Sequence, residues 1–186
     1  MNAEEIFQKA GAVLNGHFLL ASGLHSPFYW EKFQVLQFPK YTEQLCSMIT
    51  DHFAKQEIQV VAGPTTGGII LAFESARQLG VRGIFAEKTD AGGRAFRRGF
   101  GIKSGERILI VDDILTTGSS VHEVIAAVTS QGGIIVGIGV LVDRSEQAID
   151  FGIPLFSCHR ASVVTYTPED CPLCAKQVPL VKPGSS

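Results

Sequence analysis

From residue 58 onward, short apolar segments alternate with stretches of helical periodicity, and this alternation restricts the fold more than any other feature. The apolar segments predict strands over 58–62, 83–86, 107–111, 134–142 and 153–157. The intervening periodicity predicts helices over 69–79 and 119–130. Because apolar strands that alternate with helices form a sheet covered on both faces, we expect an α/β fold with a mostly parallel central sheet flanked by helices.

The first forty residues have a different character. Residues 3–14 carry apolar side chains at helical spacing, and Pro39 opens a second amphipathic segment. Between them, the stretch HFLLASGLHSPFYW is aromatic and turn-rich, which favours short antiparallel strands. We expect a single domain over 1–186, with an N-terminal element over about 1–38, a core over about 40–160 and a tail over about 161–186.

Charge and hydropathy exclude several classes of protein. The net charge of −2 offers no basic face for nucleic acid or for an anionic membrane. The longest apolar stretch, Ile134 to Val142, contains two glycines and is too short to span a bilayer, and the N-terminus does not resemble a signal peptide. We therefore expect a soluble, cytoplasmic protein with neither a nucleic acid nor a membrane as partner.

The cysteines leave two interpretations open. Without a secretion signal we expect no disulfide framework among Cys46, Cys158, Cys171 and Cys174. Cys171 and Cys174 have the spacing of metal ligands, and the pair Cys158-His159 precedes them, so a Cys3His zinc site is one interpretation. A reduced, proline-rich tail is the other.

The stretch VDDILTTGSS, Val111 to Ser120, combines acids with hydroxyls. Parallel sheets bind ligands at the carboxyl ends of their strands, which places this stretch on one edge with GPTTGG (Gly63 to Gly68) and DRSE (Asp143 to Glu146). The hydroxyls after the strand, together with Gly118 and the start of the following helix, favour a phosphate site. The simpler alternative is a strand followed by a helix that a Ser or Thr side chain caps.

Asp112 and Asp113 add a second requirement. An ionised carboxylate only accepts hydrogen bonds, so it repels phosphate but suits the hydroxyls of a sugar. We expect both acids at a solvent-facing strand end, and we predict that the ligand is a phosphorylated sugar.

The segment EKTDAGGRAFRRGFGIKSGE is glycine-rich and basic. Residues 87–100 contain four cations, Lys88, Arg94, Arg97 and Arg98, against two acids. This composition predicts either a mobile lid that closes over an anion or a small hairpin.

The stretch ILIVDDILTTGSS, Ile108 to Ser120, resembles the ribose-phosphate motif of the type I phosphoribosyltransferases, and the order of elements over about 40–157 is similar to theirs. SGLHSPFYW resembles the N-terminal hood of the branch that acts on orotate, and LVDRSE resembles its orotate-binding segment. The tail CPLCAKQVPLVKPGS is similar to tails in part of that branch. The resemblance implies a type I phosphoribosyltransferase fold with a small hood, and transfer of ribose phosphate from phosphoribosyl diphosphate to orotate.

The resemblance also implies roles for individual residues. Asp112, Asp113 and Lys88 would be catalytic, and Thr116 and Arg144 would bind orotate, with Phe28, Tyr29 and Trp30 covering the base. Phosphoribosyl diphosphate would be bound by Thr65, Thr66, Gly67, Lys88, Asp112, Asp113, Ile114, Leu115, Thr116, Thr117, Gly118, Ser119 and Ser120. Mg²⁺ would be held mainly through the diphosphate rather than by protein ligands, and the protein would be a homodimer with shared active sites.

Three segments depart from the family pattern. The family loop often carries Lys-x-x-Lys-x-His, of which only Lys88 is present here, and lysines often stand where this chain has Gly67 and Ala21. Two alternatives therefore stay open: a phosphoribosyltransferase for a purine or xanthine, and a non-catalytic regulator that senses phosphoribosyl diphosphate.

Overall fold

The structure is a computed structural model that describes residues 1–20, 22–161 and 164–183. It contains two compact units, one of residues 1–35 with 162–186 and one of residues 36–161. We call them the terminal unit and the central unit. The prediction of a single domain stays a prediction.

The elements alternate as the sequence indicates. In chain order they are α1 (Ala3–Lys9), β1 (Val13–Leu19), β2 (His25–Trp30), α2 (Lys32–Leu36), α3 (Pro39–His52), β3 (Val60–Pro64), α4 (Gly67–Leu79), β4 (Arg82–Lys88), β5 (Arg94–Phe96), β6 (Arg107–Leu115), α5 (Ser119–Ser130), β7 (Ile134–Asp143), β8 (Leu155–Arg160) and α6 (Pro172–Ala175).

The central unit contains a six-stranded sheet in the order β5-β4-β3-β6-β7-β8. All neighbouring strands are parallel except β5, which runs antiparallel to β4 at one edge. The predicted α/β fold with a mostly parallel sheet is confirmed. Side chains on both faces of β6 are buried, and its first half, Ile108 to Val111, is a continuous apolar run, as is typical of a parallel sheet covered on both faces.

Helix α5 covers one face of this sheet. Its buried residues Val121, Val124 and Val128 recur at helical spacing and pack against side chains of β3, β4, β6 and β7. Helix α4 begins close to β3, where a Cβ on Gly63 would collide with the carbonyl oxygen of Gly68. The predicted helices 69–79 and 119–130 are confirmed, and α4 begins two residues earlier than expected.

The terminal unit is built on an antiparallel hairpin of β1 and β2, as the aromatic stretch predicts. The prediction of a helix through residue 14 is wrong, because Gly11 adopts a left-handed conformation (φ 65°) after α1 and the chain then enters β1. Two segments from the other end of the chain join the hairpin. Tyr166 exchanges two backbone hydrogen bonds with His25, and Val181 bonds to the backbone of His17 and Leu19.

Three further differences concern elements of the central unit and its border. The strand predicted over 153–157 lies at Leu155–Arg160, and the sequence did not predict α2 or β5. Among the described residues, none of the helices combines the length and the hydropathy needed to span a bilayer.

Candidate active site at the carboxyl ends of the strands

The three segments that the sequence places on one edge follow neighbouring strands of the sheet. β3 leads into the turn Gly63–Gly68, β6 into Thr116–Gly118, and β7 into Arg144. The strands are parallel and adjacent, and the N–H of Arg144 donates to the carbonyl oxygen of Leu115 at 2.8 Å. The predicted edge is therefore present as one continuous rim.

Asp112 lies inside β6 and not after it, because its backbone pairs with Val140 of β7. Its side chain is buried, and both carboxylate oxygens accept hydrogen bonds. The Ser120 hydroxyl donates to Oδ2 at 2.7 Å, and the N–H of Asp113 donates to Oδ1 at 2.8 Å. The first turn of α5 thus holds this carboxylate in place.

Asp113 lies on the other face of the sheet. Ile108 and Ile110 pack in the cluster beneath α5, and side chains alternate along a strand, so Asp112 continues that face and Asp113 does not. Oδ1 of Asp113 accepts the N–H of Ile114 at 2.7 Å, and a Cβ on Gly67 would collide with Oδ2. Both acids are only 4% exposed, so the expectation of a solvent-facing strand end is wrong.

The position of Gly67 explains one departure from the family pattern. Any side chain at the first residue of α4 would have to displace the Asp113 carboxylate. A lysine in place of Gly67 is therefore incompatible with this arrangement of Asp113.

The hydroxyl loop between β6 and α5 is open to solvent at Thr116, Thr117 and Ser119. Gly118 has a φ of 77°, which favours glycine, and no side chain caps α5. The alternative of a helix capped by Ser or Thr is therefore wrong. The N–H of Ser119 has a long contact of 3.5 Å to Thr117 Oγ1, and the N–H groups of this first turn and the positive end of the helix dipole face an anion bound here.

Arg94 stabilises the turn Gly63–Gly68 through hydrogen bonds. Its Nη1 donates to Thr65 Oγ1 at 2.9 Å and to the carbonyl oxygen of Ala86 at 3.2 Å. Its Nε lies 3.0 Å from Oε2 of Glu123 in an ion pair without hydrogen-bond geometry, and the Arg94 side chain is 5% exposed. Sequence analysis grouped Arg94 with the loop cations, but it is a buried support of this turn.

Residues 87–100 form a small hairpin in this structure. Lys88 of β4 pairs with Arg94 of β5, and Thr89 and Gly93 close the turn between them. Lys88 is exposed. Ala86 pairs with Pro64, the last residue of β3, so Lys88 lies two residues beyond the end of that strand. The hairpin interpretation is confirmed, and closure of a lid stays a prediction.

The other two loop cations also differ from each other. Nη2 of Arg98 lies 2.9 Å from Oε1 of Glu87, and this hydrogen bond holds the pKa of Glu87 below its usual range. Arg97 is exposed, and its charge makes a smaller contribution in the same direction.

Arg144 is half-buried directly after β7. The turn that carries it is fixed by Asp143, whose buried Oδ1 accepts the N–H of Ser145 at 2.9 Å and its hydroxyl at 2.6 Å. Sequence analysis missed Asp143 and Ser145. The spacing Asp-x-Ser could have revealed this turn, because an Asp side chain often accepts a hydrogen bond from the backbone N–H two residues later and so fixes a turn.

The three predicted base-covering aromatics belong to the terminal unit and have unequal surroundings. Trp30 packs edge-on against Phe7 with ring centroids 5.2 Å apart, and Tyr29 lies 5.7 Å from Phe18. Phe28 is 38% exposed and is the most accessible of the three. Ala21, where the family often has lysine, lies outside the described residues.

The predicted Cys3His set is not brought together. Cys158 and His159 lie on β8 of the central unit, where Cys158 Sγ donates to the carbonyl oxygen of Leu45 and burial raises the pKa of the thiol to about 12. In the terminal unit, Cys171 and Cys174 lie with two histidines that sequence analysis did not connect to them. The ligand atoms of His17, His25, Cys171 and Cys174 are all within 4.8 Å of one another.

Comparison with known proteins agrees with this geometry. The family model of the phosphoribosyl transferase domain matches residues 34–159. An orotate phosphoribosyltransferase of Pelotomaculum thermopropionicum is 53% identical, over 97% of this chain and 94% of that relative. One from Caldanaerobacter subterraneus subsp. tengcongensis is 50% identical, over 97% and 95%.

Solved structures show the same fold. The crystal structure of orotate phosphoribosyltransferase from Aeropyrum pernix superposes with a TM-score of 0.74 at 28% identity, over 86% of this chain and 93% of that one. An adenine phosphoribosyltransferase from Thermoanaerobacter pseudethanolicus, at 20% identity and a TM-score of 0.62, shares the fold alone. With its rim of acids and hydroxyls and its identity to these relatives over nearly its whole length, the chain belongs to the orotate phosphoribosyltransferases, within the phosphoribosyl transferase domain family.

Proposed function

We propose that this protein transfers the 5-phosphoribosyl group from phosphoribosyl diphosphate to a ring nitrogen of orotate, giving orotidine 5′-monophosphate and diphosphate. The observation that carries the proposal is the continuous run from two buried carboxylates to exposed hydroxyls and an uncapped helix start, between Asp112 and Ser120. One ligand with a sugar and a phosphate matches both halves. Since the substrates are water-soluble anions, we place the reaction in the cytoplasm.

Different segments of the rim bind different parts of the phosphoribosyl diphosphate. The 5′-phosphate binds the hydroxyls of Thr116, Thr117 and Ser119 and the amides at the start of α5, including that of Ser120, whose hydroxyl donates to Asp112. The ribose hydroxyls bind at Asp112 and Asp113, with the backbone of Ile114, Leu115 and Gly118 lining the same segment. As the bond to the diphosphate breaks, the sugar carbon becomes positive, and the two carboxylates stabilise that charge through the hydroxyls.

The leaving diphosphate binds at the turn of Thr65, Thr66 and Gly67, with Lys88 as the nearest exposed cation. Arg94 keeps the turn in place from below, although its side chain is buried. Mg²⁺ fits this site as a substrate-borne ion, because it retains water and prefers phosphate oxygens to a cage of protein ligands. When bound, it neutralises charge on the diphosphate.

The orotate carboxylate binds the Arg144 guanidinium, which can donate two parallel hydrogen bonds, and Thr116 lies on the same rim. A panel of free bases, each mixed with phosphoribosyl diphosphate and Mg²⁺, tests the assignment through diphosphate release. We expect turnover with orotate alone among orotate, adenine, hypoxanthine and xanthine. Turnover with a purine, or with none of the bases, would favour the corresponding alternative function.

Arg144→Ala should raise the Michaelis constant for orotate by about tenfold or more, and that for phosphoribosyl diphosphate much less, because one charged hydrogen-bond partner is lost from the base alone. Steady-state kinetics with each substrate varied in turn measure the two constants. Arg82→Ala is the matched control, since Arg82 begins β4 at the opposite end of the strand and pairs with Glu106. Equal changes in both Michaelis constants would remove Arg144 from the base pocket.

We further propose a homodimer with shared active sites. Two apolar side chains on the first turns of α4 are exposed, Ile70 at 37% and Phe73 at 70%. They are one turn apart and form one patch. Since a helix rises 1.5 Å per residue, Phe73 is about 9 Å along the axis from Gly67, so a subunit bound to this patch lies beside the diphosphate turn.

A mixture of two inactive variants tests the sharing of sites. Lys88→Ala lacks the exposed cation, and Asp113→Asn lacks a ribose carboxylate. If Lys88 serves the partner's site, mixed dimers contain one site with both native residues, and a refolded mixture regains up to about a quarter of wild-type activity. Mixed dimers that stay as inactive as their parents would show that Lys88 acts within its own subunit.

Phe73→Glu should yield monomers.

A further inference from the structure

We infer that His17, His25, Cys171 and Cys174 bind one Zn²⁺ in a closed structural site that joins the two ends of the chain. The site lies within the terminal unit and uses none of the residues assigned to the reaction. The inference does not depend on the proposed function.

Four of the six distances between the ligand atoms are close to those of a zinc tetrahedron, and all six are within 4.8 Å. Zinc bonds of about 2.0–2.1 Å to nitrogen and about 2.3 Å to sulfur place two nitrogens about 3.3 Å apart, and a nitrogen and a sulfur about 3.6 Å apart. His17 Nε2 and His25 Nδ1 are 3.0 Å apart. Cys171 Sγ and Cys174 Sγ lie 3.5 Å and 3.7 Å from His17 Nε2, and Cys174 Sγ lies 3.3 Å from His25 Nδ1.

His17 is held in the tautomer that a metal requires. Its Nδ1 is 2.8 Å from the carbonyl oxygen of Val178, which only accepts hydrogen bonds, so Nδ1 carries the proton. The lone pair is then on Nε2, the nitrogen that faces the cluster. A backbone carbonyl in this position is the usual outer partner of a histidine that binds metal.

Hydrogen bonding alone does not account for the cluster. Three polar atoms surround the single lone pair of His17 Nε2: the ring nitrogen of His25 and the sulfurs of Cys171 and Cys174. One lone pair accepts one well-aligned donor, so these three contacts of His17 Nε2 cannot all be hydrogen bonds at the same time. A cation at the centre accepts a lone pair from each of the four atoms.

The chain brings these ligands from opposite ends. His17 is on β1 and His25 begins β2, while Cys171 precedes Pro172 of the short helix α6 and Cys174 lies within it. His17, His25 and Cys171 are at most 5% exposed, and Cys174 is exposed at the surface. Four protein ligands leave no open coordination position, which is typical of a structural and not of a catalytic zinc.

Such a site has a physical role in a unit of this size. A two-stranded hairpin is marginally stable in water, and small units often need a metal to fold. Among the residues of the tail that the structure describes, Tyr166 and Val181 make backbone hydrogen bonds to the hairpin. A metal shared by the hairpin and the tail would hold both in register. Two thiolates and two imidazoles in a tetrahedron favour Zn²⁺ over Mg²⁺ or Ca²⁺, which prefer oxygen ligands.

The first experiment measures metal in the full-length protein, produced without a histidine tag. Mass spectrometry of the metals should find about one Zn²⁺ per chain, and the Cys171→Ser plus Cys174→Ser variant should contain less than about a tenth of that. Cys158→Ser is the matched control, because this cysteine lies on β8 of the other unit, and it should keep the wild-type zinc content.

A second experiment avoids dependence on variants that fail to fold. The wild-type protein, stripped with a chelator and loaded with Co²⁺, should show the visible bands of a tetrahedral ion and the charge-transfer band of thiolate ligands. Alkylation should be slow at Cys171 and Cys174 in the zinc form and fast after chelation. The inference would be overturned if the wild-type protein bound no Zn²⁺ from a stoichiometric solution, or if its Co²⁺ form lacked thiolate bands. It would also be overturned by a Cys171–Cys174 disulfide in protein purified under reducing conditions. Stoichiometric iron in place of zinc would overturn the identity of the metal.

Discussion

In the central unit, six strands share one sheet with an apolar cluster beneath α5, whereas in the terminal unit two strands share a cluster of two histidines and two cysteines. The central unit is continuous in sequence from residue 36 to 161. The terminal unit joins residues 1–35 to residues that follow 161. Polar groups therefore have opposite roles in the two units.

In the central unit the polar groups lie mainly at the edge of a sheet whose stability comes from buried apolar area. Replacing one of them should change chemistry more than architecture. In the terminal unit the four clustered polar side chains lie at the junction of the hairpin and the tail. Replacing one of them should change architecture.

Removal of the metal should unfold the junction of the terminal unit and leave the central sheet intact. Structural zinc contributes an apparent free energy of about 10 kcal/mol or more at neutral pH, which a hairpin and a tail cannot replace. Hydrogen exchange with and without a chelator measures this at each backbone amide. The amides of Leu19, His25, Tyr166 and Val181, which join the hairpin and tail, should exchange at least about a hundredfold faster.

The control for this measurement lies within the same molecule. Amides of β6 and β7, which pair in the central sheet, should keep their protection after chelation. Loss of protection throughout the chain would show that the two units unfold together and would break the contrast.

Asp112→Asn and Asp113→Asn should each lower the turnover number by about a hundredfold or more, which corresponds to about 2.7 kcal/mol of transition-state stabilisation. Each amide keeps one oxygen that can accept a hydrogen bond in the buried site, so the fold and the zinc content should be retained. Initial rates, together with metal analysis of the same samples, measure both effects. Asp150→Asn, at an exposed acid that accepts the N–H of Gly152, is the control. A folded Asp113→Asn variant with wild-type turnover would contradict the assignment.

Arg94→Gln should destabilise the protein by about 1–3 kcal/mol, because it leaves buried acceptors at Thr65 and Ala86 and an unpaired Glu123. The Michaelis constant for phosphoribosyl diphosphate should also rise, since Arg94 supports the turn that receives the diphosphate. Arg97→Gln, in the same hairpin but exposed, should change stability by less than about 0.5 kcal/mol. Urea denaturation of the two variants gives the comparison. Equal destabilisation would mean that burial does not distinguish these arginines.

The contrast between the units also explains what the sequence could and could not predict. The strands of the central unit were recognisable as short continuous apolar runs, and α4 and α5 by apolar residues at helical spacing. The rim followed from the rule that parallel strands end at one edge. The burial of Asp112 and Asp113 was not predictable from their position, because β6 continues through both residues to Leu115 by pairing with β7.

The missed features depend on contacts between distant residues. Arg94 has the same sequence surroundings as Arg97, and only its pairing with Thr65 and Glu123 separates a buried support from a surface charge. His17 and His25 carry no motif that points to Cys171 and Cys174, since the two pairs are about 150 residues apart in the chain and about 3–4 Å apart in space. Spacing within the tail suggested Cys158 and His159 as partners of Cys171 and Cys174, whereas the structure places His17 and His25 beside them.

The smallest predicted effect concerns the exposed ion pair of the hairpin, Glu87 with Arg98. The hydrogen bond from Arg98 is the largest cause of the lowered pKa of Glu87, and the charges of Arg98 and Arg97 add to it while partial burial opposes it. Arg98→Gln should therefore return the pKa of Glu87 toward its usual value, and Arg97→Gln should move it less. Carbon-detected NMR titration of the Glu87 carboxyl measures both shifts.

The sign of the accompanying stability change follows from linkage. A carboxyl whose pKa is lower in the folded protein stabilises the fold above its unfolded pKa, near 4.5, and this contribution disappears as the pH falls through the folded pKa. The difference in stability between the wild type and Arg98→Gln should thus be present at pH 7, shrink below about pH 4.5, and be small throughout because both side chains face water. A difference that grows on acidification, or an unchanged pKa of Glu87 in Arg98→Gln, would show that the pair does not stabilise the hairpin. Such a result would leave Arg94, with its buried contacts to Thr65 and Ala86, as the arginine that stabilises this hairpin.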